Sequence, residues 1–245
     1  MVFVYFDLLQ DDFFAALVFI TAILSALIAG IAFHEFSHAF VADKLGDRLP
    51  RRMGRVTLNP LAHLEPFGTM LLLFAGFGWG RPVPVNPNNT ANPKAALAMT
   101  AAAGPLSNFV IAAVAGIPLN LGLVPWTSPF DLTNFDRLAL LGWGTDEYAG
   151  LYLSSIVLFS VLLGVFNLFP IAPLDGFKVA VGILPHDLSR SFARLEQWGP
   201  VILISLLLSG FLTGGEFSPL FEVMQPIIRI FISIFAGVDR DVFVS

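Results

Sequence analysis

The residue types and spacing of His34, Glu35 and His38 are suited to metal chemistry. On a helix, residues four apart lie on the same face, so both imidazoles would point to one place. Two histidines at this spacing are typical of a zinc site, and the glutamate between them can act as a general base on a water molecule that zinc activates. The alternative is a pair of histidines that form hydrogen bonds across helices, with Glu35 paired to a cation.

The stretch that carries these residues is apolar enough to cross a membrane. Residues 13–33 include no charged side chain, and a helix of this length spans a hydrocarbon core of about 30 Å. No basic segment precedes the stretch and no small-residue cleavage site follows it, so we interpret it as a membrane span and not as a signal peptide. Ionisable residues inside a membrane cost free energy and usually have a function, which favours the metal site over the hydrogen-bonded pair.

The composition also indicates a membrane protein and excludes other classes. Of the 245 residues, 56% are hydrophobic and 13% are charged, far from the balance of a soluble domain. No basic run suggests nucleic-acid binding, and the absence of cysteine excludes disulfides and thiolate ligands. We expect one membrane-embedded domain over residues 1–245, with a catalytic core at about 13–180 and a C-terminal helical hairpin at about 198–238.

We predict an all-α polytopic membrane protein with about five transmembrane helices. The predicted spans are residues 13–41, 95–124, 147–172, 200–213 and 219–236. The apolar segment 66–79 would reach only about 21 Å as a helix, so we expect it to be re-entrant. Alternating apolar and polar residues at 54–60 favour a short strand in the same loop, and the proline- and asparagine-rich stretch 81–94 favours irregular backbone.

The distribution of basic residues predicts the orientation in the cytoplasmic membrane. Five Lys and Arg residues follow the first span between positions 44 and 55, whereas three aspartates and no basic residue precede it. By the positive-inside rule, the N-terminus lies outside and the first span runs toward the cytoplasm. Asp43 and Lys44 are the first charges after the histidines, which places His34 about 13 Å below the cytoplasmic boundary. The predicted metal site therefore lies inside the membrane, toward its cytoplasmic side.

A catalytic zinc usually has three protein ligands, and without cysteine the third must be His, Asp or Glu. Asp175 lies at the inner end of the third predicted span, where two prolines and Gly176 would break the helix. Because the first and third spans both run inward, Asp175 reaches the depth of the histidines. We therefore predict that it is the third ligand and not a helix N-cap. The alternatives are Glu65, then His63, and then His186.

Three motifs in this order resemble the site-2 protease family of intramembrane zinc metalloproteases. They are HEFSH at residues 34–38, GPLSN at 104–108 and NLFPIAPLDG at 167–176. The stretch NPLAHLEPFGTMLLLFAGFGWGRPVPVNP is similar to the compact prokaryotic branch of that family. Many members have an extra span before the motif helix, and some carry PDZ or CBS domains, for which we see no room in this sequence.

The resemblance implies one Zn²⁺ per chain, with three ligands and a catalytic base: His34, His38, Asp175 and Glu35. It also implies that Asn108 and Asn167 lie near the cleft, where they would bind the substrate backbone or help to stabilise the oxyanion. The alternative for either asparagine is an interhelical hydrogen bond.

The activity that the resemblance implies is zinc-dependent hydrolysis of peptide bonds in or near a transmembrane segment. The substrate would be a single-span membrane protein reached through the lipid bilayer, as in regulated intramembrane proteolysis. A helical substrate must unwind first, and pairing with an extended edge at residues 55–58 could hold it open. The alternative from another class is a zinc-binding membrane protein without peptidase activity, such as a metal carrier or a membrane scaffold.

Overall fold

The longest helix carries the two histidines. The structure is a computed structural model that describes residues 13–66, 68, 80–128, 144–213 and 218–238. Helix α1 (Phe13–Leu45) has 33 residues, which makes it about 50 Å long and longer than a bilayer core is thick. His34, His38 and Asp43 lie in its last turns, and the short helix α2 (Leu49–Arg52) follows.

The rest of the described chain is helical or irregular. The further helices are α3 (Pro93–Asn120), α4 (Thr145–Asn167), α5 (Asp175–Ile183), α6 (His186–Ala193), α7 (Gly199–Leu212) and α8 (Pro219–Ala236). Short 3₁₀ turns lie at Pro60–Ala62, Pro87–Asn89 and Arg194–Trp198. Since these described residues include no strand, the prediction of an all-α protein is confirmed.

Four of the described helices are long and apolar enough to cross a membrane: α1, α3, α4 and α8. The predicted span at 200–213 corresponds to α7. This helix has 14 residues, which reach only about 21 Å, less than the thickness of a bilayer core. The described part of the chain therefore has four candidate spans where five were expected.

Side-chain pairs between helices give their relative directions. Helix α3 is antiparallel to α1, and α4 is parallel to α1. The pairs that show this are His34–Asn108 and His38–Thr100 between α1 and α3, and Ser25–Tyr152 with Gly30–Leu163 between α1 and α4. The inner ends of α1 and α4 therefore lie on the same side of the bundle, which is where both parts of the predicted metal site lie.

Helix α8 runs parallel to α3. Phe109 stacks on Phe231 with ring centroids 4.3 Å apart, and Asn120 Nδ2 donates to the carbonyl of Ile234 at 3.3 Å. Val157 of α4 belongs to the same apolar cluster as Phe109. The core thus lies between α3, α4 and α8, and the C-terminal ends of α3 and α8 lie together at the side opposite the histidines.

The predicted short strand at residues 54–60 is wrong. Gly54 has φ +69°, a left-handed conformation that commonly closes a helix, and its N–H donates to Arg51 O at 3.0 Å. The N–H of Arg55 donates to Pro50 O at 2.9 Å, so this backbone closes α2. Burial does not follow the alternation, because the polar Arg55 is buried while the apolar Leu58 is exposed.

The two other predictions for this loop have different outcomes. Residues 80–86 have no regular secondary structure and lead into the 3₁₀ turn Pro87–Asn89. The irregular backbone predicted for 81–94 is therefore confirmed up to residue 92, and α3 begins at Pro93. Residues 67 and 69–79 of the predicted re-entrant segment lie outside the described residues.

A buried carboxylate fixes the proline- and asparagine-rich loop to the end of α1. Asp47 has no exposed surface and accepts hydrogen bonds from Asn89 Nδ2 and Asn86 N, both at 2.7 Å, and from Leu49 N at 3.1 Å. Burial alone would raise the pKa of Asp47, but these hydrogen bonds outweigh it and hold the pKa below its ordinary value. The ionised carboxylate therefore stabilises the folded loop.

We expect Asp47→Asn to lower the free energy of unfolding by about 2 kcal/mol at pH 7, the usual worth of hydrogen bonds to a charged group. Because the pKa of Asp47 is lower in the folded protein, this stabilisation is complete above the unperturbed carboxyl pKa near 4 and is lost as the pH falls below it. Thermal unfolding in detergent at several pH values measures the difference. The exposed Asp187→Asn is the control, and equal losses for both variants at pH 7 would contradict the role of Asp47.

Candidate metal centre

Helix α1 presents both histidines to one buried point. The rings of His34 and His38 lie edge to face, with centroids 4.6 Å apart, and both residues are buried. They lie one turn apart because helical geometry places residues i and i+4 on the same face. Their Nε2 atoms are directed at the N-terminal end of α5.

Asp175 reaches this point from the segment that follows α4. Helix α4 ends at Asn167, an irregular turn follows, and Asp175 is the first residue of α5. Its Oδ2 lies 2.9 Å from His34 Nε2 and 3.1 Å from His38 Nε2. The carboxylate does not cap α5, because Leu174 occupies the N-cap position. The structure thus brings together the three residues that the sequence assigned to zinc.

The ligand atoms of these three residues fit a single metal ion. One atom from each of His34, His38 and Asp175 lies within 4.8 Å of the other two, the one cluster of this kind among the residues that the structure describes. Two imidazoles and a carboxylate are a donor set typical of catalytic zinc. A fourth coordination position would remain for water or substrate.

The protonation of His38 also fits metal binding. Its Nδ1 lies 2.6 Å from the carbonyl of Thr100, to which Nδ1–H donates. This hydrogen bond places the ring proton on Nδ1 and leaves the Nε2 lone pair for a metal ion.

Asn108 supplies the equivalent contact for His34. Its Nδ2 lies 3.1 Å from His34 Nδ1, and its Oδ1 is buried with no hydrogen-bond partner among the described residues. Turning the amide by half a rotation puts Oδ1 in place of Nδ2, where it accepts the proton of Nδ1. The Oδ1 atom and His34 Nδ1 are then paired, and His34 Nε2 is free to bind metal.

Gly104 provides the space for the two rings. A Cβ atom at this position would lie 2.6 Å from His38 Cε1 and 2.7 Å from His34 Cε1. Any side chain here would displace the imidazoles. Gly104 is the first residue of the GPLSN motif, but the sequence alone predicted no role for it. It lies one turn before Asn108 on the same helical face.

Glu35 lies beside the cluster without belonging to it. The residue is half-buried, and its Oε2 accepts a hydrogen bond from the N–H of Val83 at 3.2 Å. Val83 belongs to the irregular segment 80–86, which the sequence did not connect with Glu35. A carboxylate in this position can exchange a proton with a water molecule at the metal without occupying a coordination position.

A cavity of about 980 Å³ opens onto the cluster. Apolar side chains of α1, α4, α7 and α8 form most of its wall, and Lys178 and Asn167 lie at its polar end. Lys178 Nζ lies 3.9 Å from Asp175 Oδ1, the carboxylate oxygen that faces away from the histidines. The sequence had given Lys178 no role in the site.

The two asparagines have different positions. Asn167 lines the cavity, but its Nδ2 donates to Leu163 O one turn back on α4 at 2.9 Å. Asn108 is fully buried and contacts His34 instead of lining the cavity. This geometry favours a positioning role for Asn108, and a substrate or oxyanion contact by Asn167 stays a prediction.

The alternative third ligands lie outside the cluster. His63 is fully buried and its Nε2 donates to Thr57 O at 2.8 Å, Glu65 accepts from Gly68 N at 2.5 Å, and His186 is exposed beside Arg190. Each of these side chains has a local partner instead of a place at the metal site.

The fold and the site together define a membrane protein in which His34, His38 and Asp175 could hold a metal ion. Comparisons with known proteins give its family. The chain is 34% identical over 183 residues to the protein named "Putative zinc metalloprotease YwhC" of Bacillus subtilis. The aligned residues make up 75% of this chain and 78% of that protein. It is 31% identical over 195 residues to "Putative zinc metalloprotease Rip2" of Mycolicibacterium smegmatis, covering 76% of this chain and 66% of that protein.

A second Rip2, from Mycobacterium tuberculosis, is 28% identical over 199 residues, which are 80% of this chain and 70% of that protein. No family model and no solved structure matches the chain. The chain belongs to the zinc metalloprotease family of YwhC and Rip2. Its cofactor is Zn²⁺, and it is a hydrolase that acts on peptide bonds.

Gly104→Ala tests the space at the metal centre. We expect the added methyl group to push the imidazoles apart and to weaken zinc binding by about tenfold or more, the usual effect of disturbing the support of a ligand. Competition with a chelator in detergent measures the affinity.

Gly116→Ala is the matched control in the same helix, since its Cβ would lie 2.8 Å from Phe235 C, away from the histidines. It should lower thermal stability and leave zinc affinity unchanged. Equal zinc affinity in Gly104→Ala and the unmodified protein would rule out this role for Gly104.

Proposed function

We propose that this protein is an intramembrane endopeptidase of the site-2 protease type. Its substrate would be a single-span membrane protein, cut in or near the transmembrane segment at the cytoplasmic side. The observation that carries this proposal is that His34, Glu35 and His38 lie on a helix long and apolar enough to span a membrane. A peptidase whose zinc ligands and base lie on such a helix acts on peptide bonds at membrane depth.

The surroundings of the cluster support a substrate of this class. The cavity beside it is bounded mostly by apolar side chains, including those of Leu163, Leu207 and Met224. A transmembrane segment can enter such a cavity without exposing apolar side chains to water, whereas a charged soluble peptide would lose hydration there.

The orientation belongs to the same proposal. The basic residues that follow α1 favour an N-terminus on the outer side of the cytoplasmic membrane. The metal centre then lies toward the cytoplasm, from which water enters. We propose that cleavage occurs at this side.

The residues of the site suit peptide-bond hydrolysis. Zinc held by the three ligands would lower the pKa of water and stabilise negative charge on the carbonyl oxygen. Glu35 takes one proton from the water molecule that attacks the carbonyl carbon, and the C–N bond then breaks. Glu35 passes that proton to the leaving amine. The N–H of Val83 holds Oε2, which leaves Oε1 for this proton transfer.

Substrate pairing is better supported at residues 82–85 than at the predicted residues 55–58. The N–H of Arg55 closes α2, whereas Pro82, Val83 and Val85 line the cavity beside Glu35. An unwound substrate segment that adds to this stretch would pair with the carbonyl of Val83 and with the backbone of Val85, because the prolines have no N–H and the N–H of Val83 donates to Glu35.

The clustering of ionisable groups favours a peptidase over a metal carrier. A carrier needs polar groups along a path through the membrane, but the ligands, Glu35 and Lys178 surround one end of the cavity. A scaffold that only binds zinc would have no use for the carboxylate of Glu35 beside the ligands.

Glu35→Gln tests the proposed function. We expect cleavage of a single-span substrate by purified protein in lipid vesicles to fall by about 10²–10⁴-fold, the range for loss of a general base. Zinc content should stay unchanged, because Glu35 is not in the ligand cluster. The exposed Glu196→Gln is the control and should cleave normally. Normal cleavage by zinc-loaded Glu35→Gln protein would exclude the mechanism, and cleavage of soluble peptides alone would exclude the intramembrane substrate.

A further inference from the structure

Arg55 is a buried cation whose donors contact backbone carbonyls. The residue is 6% exposed. Nη1 donates to the carbonyl of Ala62, and Nη2 donates to the carbonyls of Arg81 at 2.7 Å and Pro82 at 2.8 Å. Burying a charge is costly unless it is paired or well hydrogen-bonded, so a guanidinium in this environment calls for an explanation.

The three carbonyls come from two distant stretches of the chain. Ala62 ends the 3₁₀ turn Pro60–Ala62, whereas Arg81 and Pro82 begin the irregular segment that lines the cavity. The N–H of Arg81 also donates to the carbonyl of His63 at 2.6 Å. The guanidinium therefore binds both stretches at the place where they meet and holds residues 81 and 82 in one position.

Val83, the residue after Arg81 and Pro82, contacts Glu35. Val83 N donates to Glu35 Oε2 at 3.2 Å. Val83 stands between Pro82 and Pro84, whose rings fix their own φ angles and restrict the residues before them. Once the carbonyls of Arg81 and Pro82 are fixed, the direction of the Val83 N–H has little freedom.

We propose that Arg55 is a positioning residue for the catalytic base: it holds residues 81 and 82 so that the N–H of Val83 orients the carboxylate of Glu35 beside the metal centre. The proposal rests on the proposed function only for the kinetic part of its test. The position of residues 81–83 is a property of the folded protein and can be measured without a substrate.

The chemistry of arginine suits this role. A planar guanidinium presents its donors in a fixed fork that can reach several carbonyls at once, whereas a lysine ammonium is a compact charge on a flexible stem. Burial, together with the charge of Arg81, lowers the pKa of Arg55, and the charge of the Glu35 carboxylate opposes this. The guanidinium stays charged at any ordinary pH.

Arg55→Lys, with the exposed neighbour Arg52→Lys as control, tests the proposal. Lysine keeps the charge but cannot hold the three carbonyls together. We expect kcat to fall about tenfold to a hundredfold, as for a small misplacement of a catalytic group. Zinc content should stay the same, since Arg55 contacts none of the three metal ligands. Arg52→Lys should behave as the unmodified protein does.

Val83→Pro shows whether Arg55 acts through the Val83 N–H. This variant removes the donor to Glu35 within a stretch already rich in proline. If Arg55 acts through that N–H, adding Arg55→Lys to Val83→Pro should lower kcat by less than twofold further. Losses that multiply in the double variant would overturn the proposal, as would a normal kcat in Arg55→Lys.

Hydrogen exchange gives a measurement that needs no cleavage. In zinc-loaded Arg55→Lys protein, peptides that contain residues 81–85 should exchange faster than in Arg52→Lys, with the thermal midpoint used to confirm folding. Unchanged exchange would overturn the role of Arg55 even if cleavage is seen. If the unmodified protein cleaves no substrate but the exchange changes as expected, the proposed function fails and the positioning of residues 81–83 by Arg55 stands.

Discussion

The approach of one Asp175 oxygen to the Nε2 atoms of His34 and His38 is the contact on which the rest of the structure depends. Three ionisable side chains are buried on helices of a membrane protein, where leaving such groups unpaired costs several kcal/mol each. A metal ion with two positive charges held here would offset this cost, because it would take up the lone pairs of both imidazoles and balance the charge of the carboxylate. The direction of each helix follows from the need to bring these atoms together, since α1 and α4 must run parallel to deliver them to one level.

The surrounding residues prepare this contact before any metal binds. The carbonyl of Thr100 and the amide of Asn108 fix the outward-facing nitrogens of the two rings, and Gly104 leaves room for the rings between them. All three positions belong to α3, which supplies no ligand. A helix that contributes no donor atom thus determines the tautomer and the spacing of the donors, and this explains why α3 packs closely along α1.

Much of the site could be predicted from the sequence because its signals are local or follow from topology. The i, i+4 spacing of His34 and His38 fixes their common face, and counting spans by charge brought Asp175 to the same depth. The supporting contacts could not be predicted in this way. The carbonyl of Thr100 carries no side-chain signal, and the space at Gly104 depends on how closely two helices approach.

The loop between α2 and α3 shows where prediction from the sequence pattern failed. Alternation at residues 54–60 has the period of a strand, but in the structure Arg55 is buried against carbonyls that are distant in the sequence. In the same way, α7 is apolar enough for a span but its length falls short of one. Patterns of hydrophobicity predicted a strand at 54–60 and a span at 200–213, because they record neither contacts with distant residues nor the point at which a helix ends.

Zinc content tests the central claim most directly. The purified protein, Asp175→Ala and Glu65→Ala would be compared after equilibration with limiting zinc, with thermal unfolding as a check on folding. The account predicts one zinc per chain in the unmodified protein and in Glu65→Ala, and little or none in Asp175→Ala. Full zinc occupancy in a folded Asp175→Ala protein, with loss in Glu65→Ala, would contradict it.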